Sequence, residues 1–555
     1  MPIGFATIDW WIVGIYVVFA ALPGFLCRKY IRGQADFLVA GRTLSIWLAT
    51  ATLTATEMGL VTVMYWAEFG YTSGFSAMVI GLIALSATLF VGLTGFMVRG
   101  LRASGATTVA EYYEQRYTTG VRLLGGFIIA LAGILNYGVF LQIEATFVRI
   151  ITGMPETITI TASTPGAEPW HVPTVNLVMT VLLAIVLAYT LLGGMVSVAL
   201  TDYIQFIILT LGIGGATYWV FRHSGIGGLE GMVEAVEEHR PGYGFNPFIR
   251  GVNEQGKAIL GVGVLWILWQ SMHWLGTNTW QTQAFRTAAT DSPRTARAMW
   301  ILTAFNYFGR GVIPMIWGVG ALAFLSATSA PEALKSVHTV EAMPIFLAHL
   351  PAGLLGFLTA GMLAALMSTH SSYLLAWSGV LTEDLAGPIV KSLTGREISQ
   401  SWRVRITRLF ILLIGVFLLC WGLWFQVPAT VWGYLAMTGT IYIAGALPLV
   451  AFGLYWKRAN RTGAYVGLIG GAAPGIIYLF LRIATLIVEP AVKDAGHAPQ
   501  HLIARWSADL TDALTGVISF PLALVGMIAG SLWAERRRQR ATAMHPGTAL
   551  PGGEG

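Results

Sequence analysis

Apolar residues along this chain come in runs of about 20, parted by short polar or basic segments. A helix that shows one face to water would instead carry them at spacings of three and four. At 1.5 Å per residue, about 20 residues cross the hydrocarbon core of a bilayer. The runs predict thirteen transmembrane helices, at about 8–27, 45–70, 74–98, 121–150, 174–192, 197–221, 258–280, 298–325, 353–386, 404–425, 428–454, 463–487 and 511–533. The fold class is therefore an all-α polytopic membrane protein. The first run, Ile8 to Cys27, has no basic residue ahead of it and no small-residue cleavage site behind it. It reads as a retained span with the N-terminus outside.

Several spans are interrupted by polar residues. The second reads ATLTATEMGL from Ala51 to Leu60, with three threonines, Glu57 and Gly59 at mid-span. The seventh carries a similar break, HWLGTNTW from His273 to Trp280. Broken helices at the membrane midplane free backbone carbonyls for ions and aim half-helix ends at a substrate. Two such breaks five spans apart are the expected mark of an inverted five-helix repeat. In the ninth span Ala365, Ser368, Thr369 and Ser372 fall on one helix face, with Ser371 beside it. Small-residue helix packing explains such a face. So does a hard cation such as Na+, which takes oxygen ligands.

Composition agrees with the spans. The chain of 555 residues is 55% apolar and 11% charged, against about 25% charged in a soluble protein. Its net charge of +6 is not a nucleic-acid signal, because the basic residues collect in loops. With the N-terminus outside, six cytoplasmic segments carry 22 of the 33 lysines and arginines, and the outer loop 151–173 carries none. That satisfies the positive-inside rule at every cytoplasmic segment and places the C-terminus inside. The two cysteines, Cys27 and Cys420, offer neither a disulfide framework nor metal-ligand spacing. No nucleophile–base pair marks an enzyme. One transporter domain over 1–540, with its repeat at about 45–454, and a disordered tail over 541–555 are expected. The outer loop 222–257 is expected to hold a short surface helix and a lid, and 488–510 is polar and amphipathic.

A charge at mid-bilayer costs about 2.5–3.5 kcal/mol on insertion scales, so Glu57, Glu144, Asp202 and Arg310 each need a partner or a watery cavity. Gly193-Gly194 makes a tight cytoplasmic turn just before Asp202, which interacts either with the helix dipole or with a ligand. For Arg310 one reading is an ion pair with Glu57 or Glu144. The other is a substrate carboxylate, which a guanidinium matches in shape.

In order along the chain stand DFLVAGR (Asp36–Arg42), TVAEYYEQRY (Thr108–Tyr117), the Tyr189–Gln205 block with Thr201-Asp202, Asn278 to Gln283, the hydroxyl-rich ninth span, and LYWKR (Leu454–Arg458) followed by Thr462-Gly463-Ala464. This ordered set resembles the sodium/solute symporter family over about residues 8–485. The resemblance implies a LeuT-like five-plus-five inverted repeat, with one extra helix before it and two after. It also implies a common sodium site at Ala55, Met58, Ala365, Ser368 and Thr369. A second sodium site, known in some members, corresponds to Asp202, Ser368, Ser371 and Ser372. Glu57, Asn278, Trp280 and Tyr307 correspond to positions around the family's substrate, and together with Thr62 and Arg310 they are the expected substrate-binding or gating residues.

The departures bear on the substrate. The sugar-carrying members have an amide at Glu57 and a lysine at Tyr307, whereas the proline carrier has an acid at Glu57. The family's Gln-Arg pair reads Gln283-Ala284 here, with Arg286 two residues on. The expectation is a sodium-coupled importer of a small organic solute, a carboxylate or an amino acid, working by alternating access as a monomer in the cell's inner membrane. It would use Na+ as coupling ion and no organic cofactor. The alternatives are a sodium/sugar symporter and a transporter-like sensor.

Overall fold

A computed structural model describes residues 5–27, 34–160, 169–223, 225–252, 258–260, 262–328, 337–425, 431–494 and 512–544. Every predicted span has a helical counterpart. In chain order these are α1 (Thr7–Cys27), α2 (Ile46–Glu57), α3 (Leu60–Ser73), α4 (Val79–Thr94), α5 (Thr119–Tyr137), α6 (Phe140–Thr152) and α7 (Thr174–Arg222). There follow α8 (Val262–Gly276), α9 (Gln281–Ala289), α10 (Pro293–Thr328), α11 (Leu354–Val380), α12 (Gln400–Trp424), α13 (Val431–Tyr455), α14 (Arg461–Asp494) and α15 (Asp512–Met544). Among the described residues nine helical stretches are long and apolar enough to cross a membrane, alongside the shorter apolar Thr7–Ala20 and Thr174–Ala188.

The α7 segment consists of two antiparallel helical legs. Met179 and Leu187 of its first leg pack on Gly422 and Gly415 of α12, running against it. Leu209 and Gly212 of its second leg lie against Gly361 and Phe357 of α11, again antiparallel. Thr382, just past the end of α11, meets Thr407 of α12, while His370 of α11 and Trp421 of α12 flank the neighbouring Tyr137 and Gly138. So α11 and α12 run in opposite directions, and the chain reverses between Leu187 and Val198, a stretch that contains Gly193-Gly194. Glycines let these backbones approach closely where no hydrophobic force separates helix from lipid.

The breaks fall where the polar residues predict them. The α2 ladder stops at Glu57, Met58 is non-helical at φ −90°, ψ 54°, and Gly59 is extended before α3 begins. Between α8 and α9, Thr277–Thr279 form one 3-10 turn and Trp280 is extended. The chain flanking these broken helices is tied together at one end of the bundle, where the Leu44 N–H donates to Ala289 O at 3.0 Å and Asp291 N–H to Leu44 O at 3.1 Å.

That same end gathers the basic segments. Arg42 bonds the Gly105 carbonyl, Arg102 the Thr290 carbonyl and Arg116 the Gly453 carbonyl. Arg122 pairs with Glu114 at 2.5 Å and with the buried Asp384 at 2.9 Å. Asp384 sits in a π-helical turn, Leu381–Ala386, that extends α11. Burial works to raise the Glu114 carboxyl, but hydrogen bonds from Thr119 and Arg122 outweigh it and hold the group below the ordinary range.

At the opposite end Asp9 on α1 caps α11 from outside its own helix. Its Oδ1 accepts from the Gly353 and Gly356 N–H groups at 2.7 and 2.8 Å. The predicted surface helix in 222–257 is Gly228–His239. Two short antiparallel strand pairs in the loops, Thr157–Ile160 with Trp170–Pro173 and Ile249–Val252 with Ala258–Leu260, were not expected. The last helix runs to Met544, past the expected start of the tail, and the rest of that tail lies outside the described residues, as does most of 488–510.

Candidate functional site

The break between α2 and α3 removes regular helical partners from its carbonyls. The Ala55 carbonyl would pair with the Gly59 N–H, but Gly59 is extended, and Met58 is itself non-helical. Two neighbouring carbonyls are instead capped by hydroxyls. Thr369 Oγ1 on α11 donates to Thr56 O at 2.9 Å, and Thr62 Oγ1 donates to Glu57 O at 3.1 Å. Gly59 makes this approach possible, since a Cβ there would stand 2.5 Å from Thr369 Oγ1. Ala55, Met58, Ala365, Ser368 and Thr369 are all buried. The structure thus sets the broken end of α2 against the hydroxyl face of α11.

Beside this contact lies the Asp202 cluster. Ser368 Oγ donates to Asp202 Oδ1 at 2.5 Å, and Thr52 Oγ1 donates to Oδ2. Ser371 Oγ turns back to the Ser368 carbonyl at 3.0 Å, and Ser372 Oγ lies 2.9 Å from Thr56 Oγ1. Arg286 reaches into the same cluster from α9. Its Nη2 bonds Ser372 Oγ and stands 3.7 Å from Asp202 Oδ2. Both partners of that ion pair are fully buried.

On the other side of the break is a small cavity of about 80 Å³, less than the ~300–1,000 Å³ of a typical small-molecule site. Glu57, Thr62 and Arg310 line it together with Thr369 from the hydroxyl face of α11. Aromatic rings of Tyr65, Trp274, Trp280, Tyr373 and Trp432 supply much of the rest. Arg310 Nη1 bonds Glu57 Oε2 at 3.1 Å and its Nη2 bonds Tyr65 OH at 3.2 Å. The guanidinium also lies over the rings of Tyr307 and Trp274, at 5.2 and 5.6 Å. Glu57 Oε1 accepts from Thr282 Oγ1 at 3.2 Å, so its carboxylate joins both broken helices. Tyr65 and Trp432, whose rings tilt against each other at 5.1 Å, line both this cavity and a second, wider one lined also by Glu68, Thr72, Trp266 and Asp512.

Of the two partners offered for Arg310, the structure selects Glu57. Glu144 is bonded instead to His370 Nε2, whose Nδ1 lies 2.6 Å from Tyr137 OH. Trp280 forms cavity wall, its indole N–H donating to Tyr373 OH at 3.4 Å. Asn278 and Tyr307 are buried but do not line the cavity. Tyr307 sits behind Arg310, while both amide atoms of Asn278 and the Tyr307 hydroxyl lack a hydrogen-bond partner. The sequence reading missed His370, although it stands among the hydroxyls of α11 and Glu144 required a partner. It noted Arg286 without placing it, read Thr52 and Thr56 only as part of the break in the second span, and passed over Tyr65. Polar residues in such a span carry information one by one, and each of these was visible as one.

The family model for the "Sodium:solute symporter family" matches residues 37–471. Among curated relatives, the sodium/glucose cotransporter of Vibrio parahaemolyticus is 23% identical over 87% of this chain and 87% of its own length. The high-affinity proline transporter PutP of Bacillus subtilis is 25% identical over 84% of this chain and 91% of its own. The sodium/sialic acid symporter SiaT of Proteus mirabilis is 22% identical over 96% and 97%. A solved substrate-bound, outward-open Na+-coupled sialic acid symporter superposes over 95% of this chain and 98% of that one, with a TM-score of 0.72 at 18% identity. The helical order, the paired breaks and the hydroxyl face of α11 stand on that shared fold, and the chain belongs to the sodium:solute symporter family.

Proposed function

We propose that this protein imports a small carboxylate or amino acid by sodium symport, the ion resting between the broken end of α2 and the hydroxyl face of α11. The observation that carries this reading is the direct bond from Thr369 Oγ1 to the Thr56 carbonyl, with Thr369 also lining the solute cavity. Sodium held by the carbonyls of Ala55, Met58 and Ala365 and the hydroxyls of Ser368 and Thr369 would brace the two helices against each other. Losing it on the inner side would let them part. One positive charge moving through 100 mV supplies about 2.3 kcal/mol, or roughly 50-fold accumulation.

The solute reading rests on the Glu57–Arg310 pair in the cavity wall. A guanidinium with one N–H set on a carboxylate and another on Tyr65 is geared to exchange partners with an incoming carboxylate. Glu57 is then free to meet an ammonium group. The aromatic walls suit the apolar body of such a solute. The basic end of the bundle, with Arg42, Arg102, Arg116 and Arg122, faces the cytoplasm in this reading.

The test is thermal stabilisation of the purified protein by sugars, amino acids and short acids, each with Na+ and with K+. Stabilisation by acids or amino acids in Na+ alone supports the proposal. A response to neutral sugars that survives Arg310→Gln, with no response to any acid, overturns the carboxylate assignment.

A further inference from the structure

The Asp202 cluster contains a cation of its own. Asp202 is fully buried on α7, and an intramembrane carboxylate needs a compensating charge. The side chain of Arg286, on α9, delivers one. Its Nη2 donates to Ser372 Oγ and stands 3.7 Å from Asp202 Oδ2, while Nη1 lies 3.4 Å from Thr282 O. The guanidinium and the groups around it share the oxygens that a second sodium would take here. Ser372 accepts from Arg286 and meets Thr56, Ser371 is donated to the Ser368 carbonyl, and the two Asp202 oxygens accept from Ser368 and Thr52.

We infer that the Arg286 guanidinium is a tethered cation standing in place of a second sodium ion, so that the protein binds and couples a single Na+. This rests on the sodium reading of the α2–α11 site. Asp202 and Arg286 together are neutral. A sodium ion added beside them would leave a net positive charge buried within a few ångströms of the guanidinium, with no partner. Without Arg286 the same cluster is net negative and lined by hydroxyls, which is the environment a hard cation selects. The position of the arginine, rather than the presence of Asp202 and its serines, therefore sets the ion count. It also ties α9 to α7 and α11 through a side chain that cannot dissociate into solution, as a free ion would.

The experiment counts saturable ²²Na+ sites on the purified full-length protein by equilibrium binding. The wild type is expected to bind one ion. Arg286→Gln is expected to bind two, and Arg286→Gln with Asp202→Asn to return to one. Arg286→Lys, which keeps the charge, is expected to stay at one. Two ions on the wild type, or one on monodisperse Arg286→Gln protein, would overturn the tethered cation. If Arg286→Gln does not fold, the wild-type and Arg286→Lys counts decide the matter. No bound sodium on the wild type would instead overturn the underlying sodium reading, and this inference with it.

Discussion

The hydroxyl of Thr369 donates to the main-chain carbonyl of Thr56 at 2.9 Å, joining the middle of α11 to the broken end of α2. Residues 313 positions apart in sequence thus meet where one helix has given up its regular pairing. In the proposed reading the contact orders the sodium site on one side of the break and the solute cavity on the other. Binding at one is then felt at the other through a shared side chain.

Thr369→Val removes this oxygen while keeping the volume of the side chain. Sodium affinity, read from Na+-dependent thermal stabilisation, is expected to fall at least about tenfold, equivalent to about 1.4 kcal/mol. Thr369→Ser should keep most of it. Unchanged sodium response in the valine variant would remove Thr369 from the site.

Gly59→Ala tests the same contact from the other helix. The backbone at Gly59 suits alanine, since φ is −70° and ψ 160°. The difficulty is the new Cβ, 2.5 Å from Thr369 Oγ1. The helices must separate by several tenths of an ångström or Thr369 must rotate away. Weakened sodium stabilisation in a folded protein is the expected outcome, measured against the wild type at matched expression.

Arg310→Gln or Glu57→Gln strands a charge that is more than nine-tenths buried on either side. Breaking such a pair costs about 3–5 kcal/mol, whereas removing both charges is far milder. Thermal unfolding in detergent should therefore show large losses for each single variant and partial recovery in Glu57→Gln with Arg310→Gln. Additive losses in the double variant would show that the two residues act separately.

Asp9→Ala leaves two N–H groups at the start of α11, those of Gly353 and Gly356, without their carboxylate. An unsatisfied buried donor costs about 1–3 kcal/mol. A clear drop in unfolding temperature is expected, with sodium affinity nearly unchanged because Asp9 lies at the far end of α11. A selective loss of sodium binding would contradict that purely structural role.

Much of this was legible in the sequence because charges are scarce in it. Glu57 and Gly59 inside an apolar run signalled the break, and Asp202 with Ser368, Ser371 and Ser372 signalled a cluster. The bundle brings those groups together, with Ser368 on Asp202 at 2.5 Å. Pairing was less legible. Arg310 had two carboxylates to choose from, and only the packing of α10 against α2 assigns it to Glu57. Glu144 finds His370 across 226 residues, a distance over which no local periodicity speaks. Arg286 is displaced by two residues from its familiar place, and nothing in the sequence says that its side chain reaches Asp202. The strand pairs at Thr157–Ile160 and Ile249–Val252 were missed because polar loop composition conceals four-residue strands.

The most direct test of sodium symport uses purified protein in sealed proteoliposomes, with the radiolabelled acid or amino acid that best stabilises it. An inward Na+ gradient should drive that solute inside to well above its outside concentration, and an equal K+ gradient should not. Thr369→Val should lose this uphill phase. Equilibration to the outside concentration alone, at the same rate in Na+ and K+, would contradict the account.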